Sequence, residues 1–521
     1  MINKTFILMF VIWTVFFVTL SSFWIFKNNL PPAWDQAQYL EASEMMRQTL
    51  VENGIFEFLN KTTTVLGVKA PLIAILPVPL YLLFGSTPHV ALMVNMIFLI
   101  LFAVFFYKLV CLVFDEKLAF ASIVIIATMP LFYGLARYFF VEFGLMTLVI
   151  IWMYLILKTE NPTKKYLSLL GVTSGLGMMM KFHFFIFIAG PALLILYNSW
   201  KKIGYKLFDY KNLLVFTVPA MAIALPWYAR NIMTVLWKAK RASNPELLGN
   251  LYYGSPLSIK NLYLSALDFI NYVVSPYWFL VMVALAVIYL FKSKRIHVNY
   301  FFLSWFLVPF IIFYFGPNKD YRLMLPLLPP VGILIAWLIR QVFLKKQSLF
   351  LVGAAVFPTL VYLNTSVFDA KFIQNKISLG PVILSDKNIG DYVQTPRNKY
   401  WPIKEILVYL DSLVPQDKTK IIILASEHES FNINNLKYYA VKEKLNLEIK
   451  TASYFPKNSQ FETIKSFIDK GDYLIMKVGG DSGPSQLNVF NEQIEKDLNW
   501  PEIPNNFTFP DGGRLLVAKK L

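Results

Sequence analysis

The 521-residue chain has one cysteine, Cys111, and four histidines. A lone thiol forms no disulfide within the chain, so the fold is not stapled and the redox compartment is left open. The histidines show no paired metal-ligand spacing, and no metal-binding residue is assigned from the sequence. Charge is scarce too: Asp, Glu, Lys and Arg make up 16% of the residues. Carboxylates are the scarcer sign, 32 against 49 Lys and Arg, giving a formal charge of +17. In a soluble protein that balance would point to nucleic acid. Here many basic residues cluster in short loops between apolar runs, which is how membrane orientation is encoded. The partners this implies are membrane lipids and their anionic headgroups, with no nucleic acid.

Apolar residues, at 56%, are in excess, and a soluble domain holds about 45–50%. The excess lies in blocks between Phe6 and Leu363. Candidate spans are Phe6–Phe26, Val90–Phe114, Leu118–Leu135, Phe139–Leu157, Tyr166–Met180, Phe184–Tyr197, Leu213–Tyr228, Tyr277–Phe291, Tyr300–Phe315, Leu323–Ile339 and Leu349–Leu363. The expected class is a polytopic α-helical membrane protein of about eleven spans by the hydropathy criterion. Phe6–Phe26 lacks a small-residue cleavage site and reads as an uncleaved first span. Pro71–Phe84 is apolar but short, and Pro71, Pro77 and Pro79 interrupt it, so it reads as a re-entrant or interfacial piece.

Charge sets the sidedness. With the N-terminus cytoplasmic, Lys158, Lys164, Lys165, Lys201, Lys202, Lys206, Lys211, Lys292, Lys294, Arg295, Arg340, Lys345 and Lys346 all fall inside. Everything after Leu363 then falls outside. The first outside loop, Lys27–Lys69, carries the amphipathic stretches Gln36–Leu50 and Ile55–Leu59, expected as helices on the membrane surface. The second long outside loop is Arg230–Tyr272. In the tail, expected strands at Lys420–Ala425, Leu447–Thr451, Asp472–Val478 and Arg514–Ala518 alternate with helices at Ile403–Leu413, Asn434–Leu445, Phe461–Lys470 and Asn488–Leu498. That alternation predicts a small soluble α/β domain. The expected division is a membrane domain over 1–364 and an extracytoplasmic domain over 365–521.

The outer face collects ionisable groups near span ends, where they are costly and often functional. Asp35 follows the first span within Trp34-Asp35-Gln36-Ala37-Gln38-Tyr39. Lys69 precedes the proline segment, Arg137 and Glu142 straddle a turn, Lys181 and His183 lie between spans, Arg230 follows Pro226-Trp227-Tyr228, and Lys319, Asp320 and Arg322 sit together. Cations stabilise a departing phosphate, and a carboxylate takes the proton of an attacking hydroxyl or amine. Asp35 and Glu142 are the candidate catalytic carboxylates; Lys69, Arg137, Arg230, Lys319 and Arg322 are the candidate phosphate contacts. Blander roles compete: Asp35 as N-cap of the surface helix, Arg137 and Arg230 as interfacial anchors, and Arg137 as the nearest partner for Glu142. Gly480-Asp481-Ser482-Gly483-Pro484 resembles a serine-nucleophile loop but reads as a turn, because no convincing His–Asp pair accompanies it. Gly175-Leu176-Gly177 reads as helix packing.

In order along the chain, several motifs resemble the GT-C glycosyltransferases of the protein-mannosyltransferase and aminoarabinose-transferase type. They are Trp34–Tyr39, Lys69-Ala70-Pro71-Leu72 with Tyr81-Leu82-Leu83-Phe84-Gly85, Arg137–Glu142, Gly175 through Lys181, Pro226–Asn231, and Tyr321–Pro326 with Pro329-Pro330. The resemblance covers about residues 1–340. It implies an inverting enzyme of the inner (plasma) membrane that moves a sugar from a polyprenyl-phosphate donor to an extracytoplasmic acceptor: lipid A, a surface or cell-wall glycan, or protein. By it Asp35 is the base, Lys69, Arg137, Arg230 and Arg322 contact phosphate, and Glu142 is a supporting or acceptor-site carboxylate. A divalent metal is compatible with the family, although Gln36 and Val68 stand where the family often has acidic or histidine side chains. Two readings compete with the enzyme. A transporter or flippase of a lipid-linked glycan would show internal repeats with broken helices at midplane, and no repeat is visible. A non-catalytic scaffold of the same fold is kept open by Gln36.

Overall fold

The structure, a computed structural model, describes residues 4–158, 163–203, 210–242, 244, 252–293, 299–368, 376–386, 393–413, 419–497 and 500–520. Lys206, Lys294 and Arg295 lie outside them. The chain forms two compact units. One comprises Met1–Ile25, Leu59–Leu76 and Leu92–Pro396; the other comprises Phe26–Phe58, Pro77–Ala91 and Arg397–Leu521.

The first unit is a helical membrane bundle. Five of the described helices are long and apolar enough to cross a bilayer: Lys4–Lys27, Pro88–Val113, Val141–Lys158, Tyr210–Arg241 and the broken Tyr321–Ser366. A sixth arises if Ile259–Val274 and Pro276–Lys292, bent by 104°, count as one. Each expected span is helical, but several are short or interrupted. Leu118–Leu135 is split into Glu116–Ala127 and Pro130–Leu135, because Pro130 keeps Met129 out of the helical region. The 104° bend follows a π-helical turn, Phe269–Val274, and falls at Ser275, whose φ is 85°. Pro276 then opens the next helix, where its missing N–H costs nothing. A hairpin that the sequence did not announce, β1 (Lys376–Leu379) with β2 (Val382–Asp386), is held to the π turn by Asn271. The Asn271 Nδ2 donates to Pro381 O (3.1 Å), and its Oδ1 accepts from Ile383 N (3.0 Å).

Apolar burial cannot drive helices together in lipid, so close backbone approach does. Lys164–Met180 and Tyr210–Ala242 show this clearly. A Cβ on Gly171 would sit 2.1 Å from Phe216 O, and one on Gly175 would sit 2.8 Å from Ile223 Cβ. The Tyr228 hydroxyl closes the pair by donating to Met178 O at 3.0 Å.

The second unit is built on a four-stranded sheet in the order β4-β3-β5-β6: β3 is Lys420–Leu424, β4 Leu447–Thr451, β5 Tyr473–Val478 and β6 Arg514–Lys519. The first three strands to pair are parallel and β6 is antiparallel. Alternation sorts the strand residues. Ile422, Leu424 and Ile475 face helices Ile403–Ser412 and Ile433–Lys442, while Ile423, Leu474 and Met476 face Phe461–Ile468 and Asn491–Asp497. The α/β order expected for the tail is therefore what folds.

Surface helix Trp34–Lys61 is broken at Gly54 (φ 81°), between the two amphipathic stretches read from sequence. Its first part is pinned within this unit by Glu44. That carboxylate, 1% exposed, takes Arg47 Nε at 3.1 Å, Gln48 Nε2 at 3.0 Å and the Ser86 hydroxyl. Gln48 also donates to Val441 O at 2.9 Å.

Two predictions follow from this packing. Gly171→Val should lower the thermal midpoint in detergent by an overpacking cost of about 2 kcal/mol, whereas Gly353→Ala, where a Cβ meets nothing within 4 Å, should not. Burial pushes the Glu427 and Glu41 carboxyls up, each to about 7. Their folded values lie above the unfolded one, so the stability they contribute is full below about pH 4.5 and fades as pH rises through 7. The second unit should be cut faster by protease at pH 8 than at pH 5, and Glu41→Gln with Glu427→Gln should flatten that dependence.

Candidate functional site

Glu142 sits in the first turn of Val141–Lys158, where the N-terminal end of the helix dipole favours a negative charge. It is 3% exposed. Its Oε1 accepts from Lys181 Nζ at 2.8 Å. Lys181 is the C-cap of Lys164–Met180, an end that favours a cation. The two helix ends thus present opposite charges to each other. Oε2 of Glu142 has no hydrogen-bond partner among the described residues.

Arg322 is the second cation here, close enough for its charge to act on Glu142. It lies 4.8 Å over the Phe140 ring. Asp320 caps the 3-10 turn Tyr321–Leu327 through Arg322 N (3.1 Å) and pairs with Arg322 Nε (2.8 Å). Lys319, 7% exposed, donates to Tyr314 O. In its loop, burial pulls the ammonium below the usual lysine range.

Lys319 and Asp320 line a cavity of about 210 Å³ together with Phe269, Phe306, Phe310 and Phe313. Asp268, which accepts from the Tyr253 hydroxyl, also borders it.

Arg230 is exposed and donates to Thr63 Oγ1 (3.0 Å), while Asn231 donates to Thr63 O (2.8 Å). These contacts bring Arg230 to the turn that carries the half-buried Lys69.

Arg137 is placed differently from the expectation that paired it with Glu142. It is 1% exposed and encircled by Trp24, Tyr133 and Tyr362. Its Nε donates to Tyr133 O (2.8 Å), and its terminal nitrogens donate to Ser366 O (2.6 Å) and Oγ. Ser366 ends the helix Gln347–Ser366, so the guanidinium satisfies an otherwise open helix-end carbonyl. The partner of Glu142 is Lys181, brought in from the neighbouring helix.

Asp35 belongs to the second unit. It lies in the first turn of Trp34–Lys61 rather than at the N-cap, half-buried. Trp34 before it has φ 46°, a left-handed conformation that costs a tryptophan about 1 kcal/mol and is stored where a turn must point a side chain. The charge of Asp35 reaches Tyr454, as does that of Glu427.

Sequence reasoning assigned no role to Lys181 or His183, though a lysine ending a glycine-rich apolar run was a usable signal. It missed Asp268, hidden in a weakly patterned loop. It also read the tail as lacking a His–Asp pair. The structure has His428 Nε2 3.8 Å from Asp481 Oδ2, with Trp401 stacked on the ring. Gly480-Asp481-Ser482-Gly483-Pro484 is nonetheless a turn, with φ of 64° and 66° at its glycines, and Ser482 offers its carbonyl to Asn488. Among the described residues, no three His, Cys, Asp or Glu side chains come together as cation ligands.

Lys181→Met should strand the Glu142 carboxylate and cost about 2–4 kcal/mol of stability, with much of it regained in Lys181→Met/Glu142→Gln. Chemical unfolding of the three variants in detergent measures this.

The sequence profile of the dolichyl-phosphate-mannose-protein mannosyltransferase family matches residues 68–229, a stretch that holds Lys69, Arg137, Glu142 and Lys181. A search of curated proteins gives no match. Among solved structures, ArnT from Cupriavidus metallidurans bound to undecaprenyl phosphate superposes with a TM-score of 0.58 at 12% identity, covering 97% of this chain and 98% of that one. Its apo form gives 0.56 at 14% identity, with 97% of each chain covered. Those values show a shared fold over nearly the whole length. The profile match over residues 68–229 adds a local similarity to that mannosyltransferase family.

Proposed function

We propose that the chain transfers a hexose or pentose, with inversion, from a polyprenyl-phosphate donor to an extracytoplasmic acceptor: lipid A, a surface or cell-wall glycan, or a protein. The observation that carries this reading is the aromatic cavity lined also by Lys319 and Asp320, with Asp320 paired to Arg322, whose charge acts on Glu142 of the Glu142–Lys181 pair. A phenylalanine wall suits a prenyl chain, and cations suit its phosphate. The ArnT structure of like fold was obtained with undecaprenyl phosphate.

In this mechanism Asp35 takes the proton of the acceptor hydroxyl or amine. The freed electron pair attacks the anomeric carbon from the side opposite the lipid phosphate. The bond from that carbon to the phosphate oxygen breaks, and its electrons leave with the phosphate. Lys69, Arg230, Lys319 and Arg322 stabilise the charge that grows there. Glu142 holds Lys181 in place, and Arg137 serves as an anchor. No step is assigned to a metal.

The proposed setting is the inner (plasma) membrane. About eleven crossings put the N-terminus in the cytoplasm, and the tail over 365–521, which carries the α/β sheet, lies outside, as the lysine-rich loops indicate.

Transfer from a radiolabelled polyprenyl-phosphate sugar, measured in membranes, tests the reading. Asp35→Asn should reduce it by about 10³-fold or more at normal protein level; undiminished transfer would remove Asp35 as the base.

A further inference from the structure

Several buried polar atoms of the first unit meet no hydrogen-bond partner among the described residues, and two of them cluster around Lys181. One is Glu142 Oε2, on a residue 97% enclosed (3% exposed), whose other oxygen is taken by Lys181. The other is His183 Nδ1, two residues beyond Lys181. Leaving such an atom unmet costs about 1–3 kcal/mol each. The two are neighbours, since the charges of both Lys181 and Glu142 act on His183.

His183 also reaches a wall of the aromatic cavity. The His183 ring lies 6.1 Å from that of Phe313, one of its walls, and Arg322 is flanked by the cavity residues Tyr321 and Met324. In the loop between two spans, burial first and the Lys181 charge second pull the imidazole down to about 3. The ring is therefore neutral, with one N–H and one lone pair.

A carboxylate oxygen that only accepts and an imidazole nitrogen that accepts or donates suit one kind of ligand: a group that does both at short spacing. Vicinal hydroxyls fit; phosphate does not, because it offers Glu142 no donor. From this pairing beside the phosphate-binding end we infer that Glu142 Oε2 and His183 Nδ1 form the donor's sugar subsite, contacting ring hydroxyls of the transferred unit. The inference rests on the donor reading above, and it assigns His183 as a binding residue. It also explains how one acidic side chain serves two ends: Lys181 fixes the carboxylate through Oε1 and leaves Oε2 aimed at substrate.

The test uses the full chain in nanodiscs and compares binding of undecaprenyl phosphate alone with undecaprenyl phosphate carrying glucose, galactose, mannose or arabinose. In wild type, at least one glycosylated lipid should bind more tightly than the bare lipid. His183→Phe, which keeps the aromatic packing on Phe313, and the milder His183→Gln probe the subsite, with Glu142→Gln as the third variant. His183→Phe and Glu142→Gln should each shrink that sugar-dependent gain by about tenfold. Bare-lipid affinity of the two His183 variants should change less than about twofold, which also reports that they are folded. His183→Gln, which keeps a polar atom, should recover part of the gain. If the gain survives in both His183→Phe and Glu142→Gln, the subsite is elsewhere and the inference falls alone. If no glycosylated lipid exceeds the bare lipid in wild type, the inference falls together with the donor reading.

Discussion

A carboxylate removed from water at the head of a membrane helix has to be met by a cation, and in this protein Lys181 meets Glu142. The pair joins the start of Val141–Lys158 to the end of Lys164–Met180 at 2.8 Å. Both charges are placed where the helix dipoles favour them, which offsets part of the desolvation that burial imposes. Neighbouring charges then follow a rule of local pairing. Asp320 holds Arg322, Asp268 holds the Tyr253 hydroxyl, and Arg137 is absorbed by a helix end and three aromatic rings. Each of these groups keeps a partner in a low-polarity setting, and Lys319, which borders the cavity, is held by Tyr314 O.

Much of the fold was legible because its signals are local. Each apolar run became helix, the break between the two amphipathic stretches fell at Gly54, and the tail strands landed within a residue or two of their expected bounds. Period-two alternation in Ile421-Ile422-Ile423-Leu424 suffices to place a two-sided strand. The β1–β2 hairpin was not legible, since it depends on Asn271 more than a hundred positions away. Nor was the membership of Phe26–Phe58 and Pro77–Ala91 in the same unit as the tail, which is fixed by the meeting of Glu44 with Ser86 and of Gln48 with Val441.

The site was read in part. Glu142, Lys319 and Arg322 could be marked as unusual from their position at span ends. What could not be read was partner choice. Arg137 is five residues from Glu142 in the chain, yet aromatic contacts and the Ser366 carbonyl draw it away, while Lys181 approaches from thirty-nine residues on. Separation along the chain is a poor guide where helices cross, because adjacency is set by close-packed glycines such as Gly171 and Gly175.

The π-helical turn Phe269–Val274 carries a consequence for register. A π turn accommodates about one more residue than an α turn, and each residue in a helix advances the side chains by about 100°. Asp268 borders the cavity just before this wide winding, and Asn271 grips the hairpin from within it. Deleting a single residue within the turn would restore ordinary helix geometry while swinging one of these two groups off its target. The surplus residue therefore acts as a spacer that lets one short segment serve the cavity wall and the β1–β2 hairpin at once.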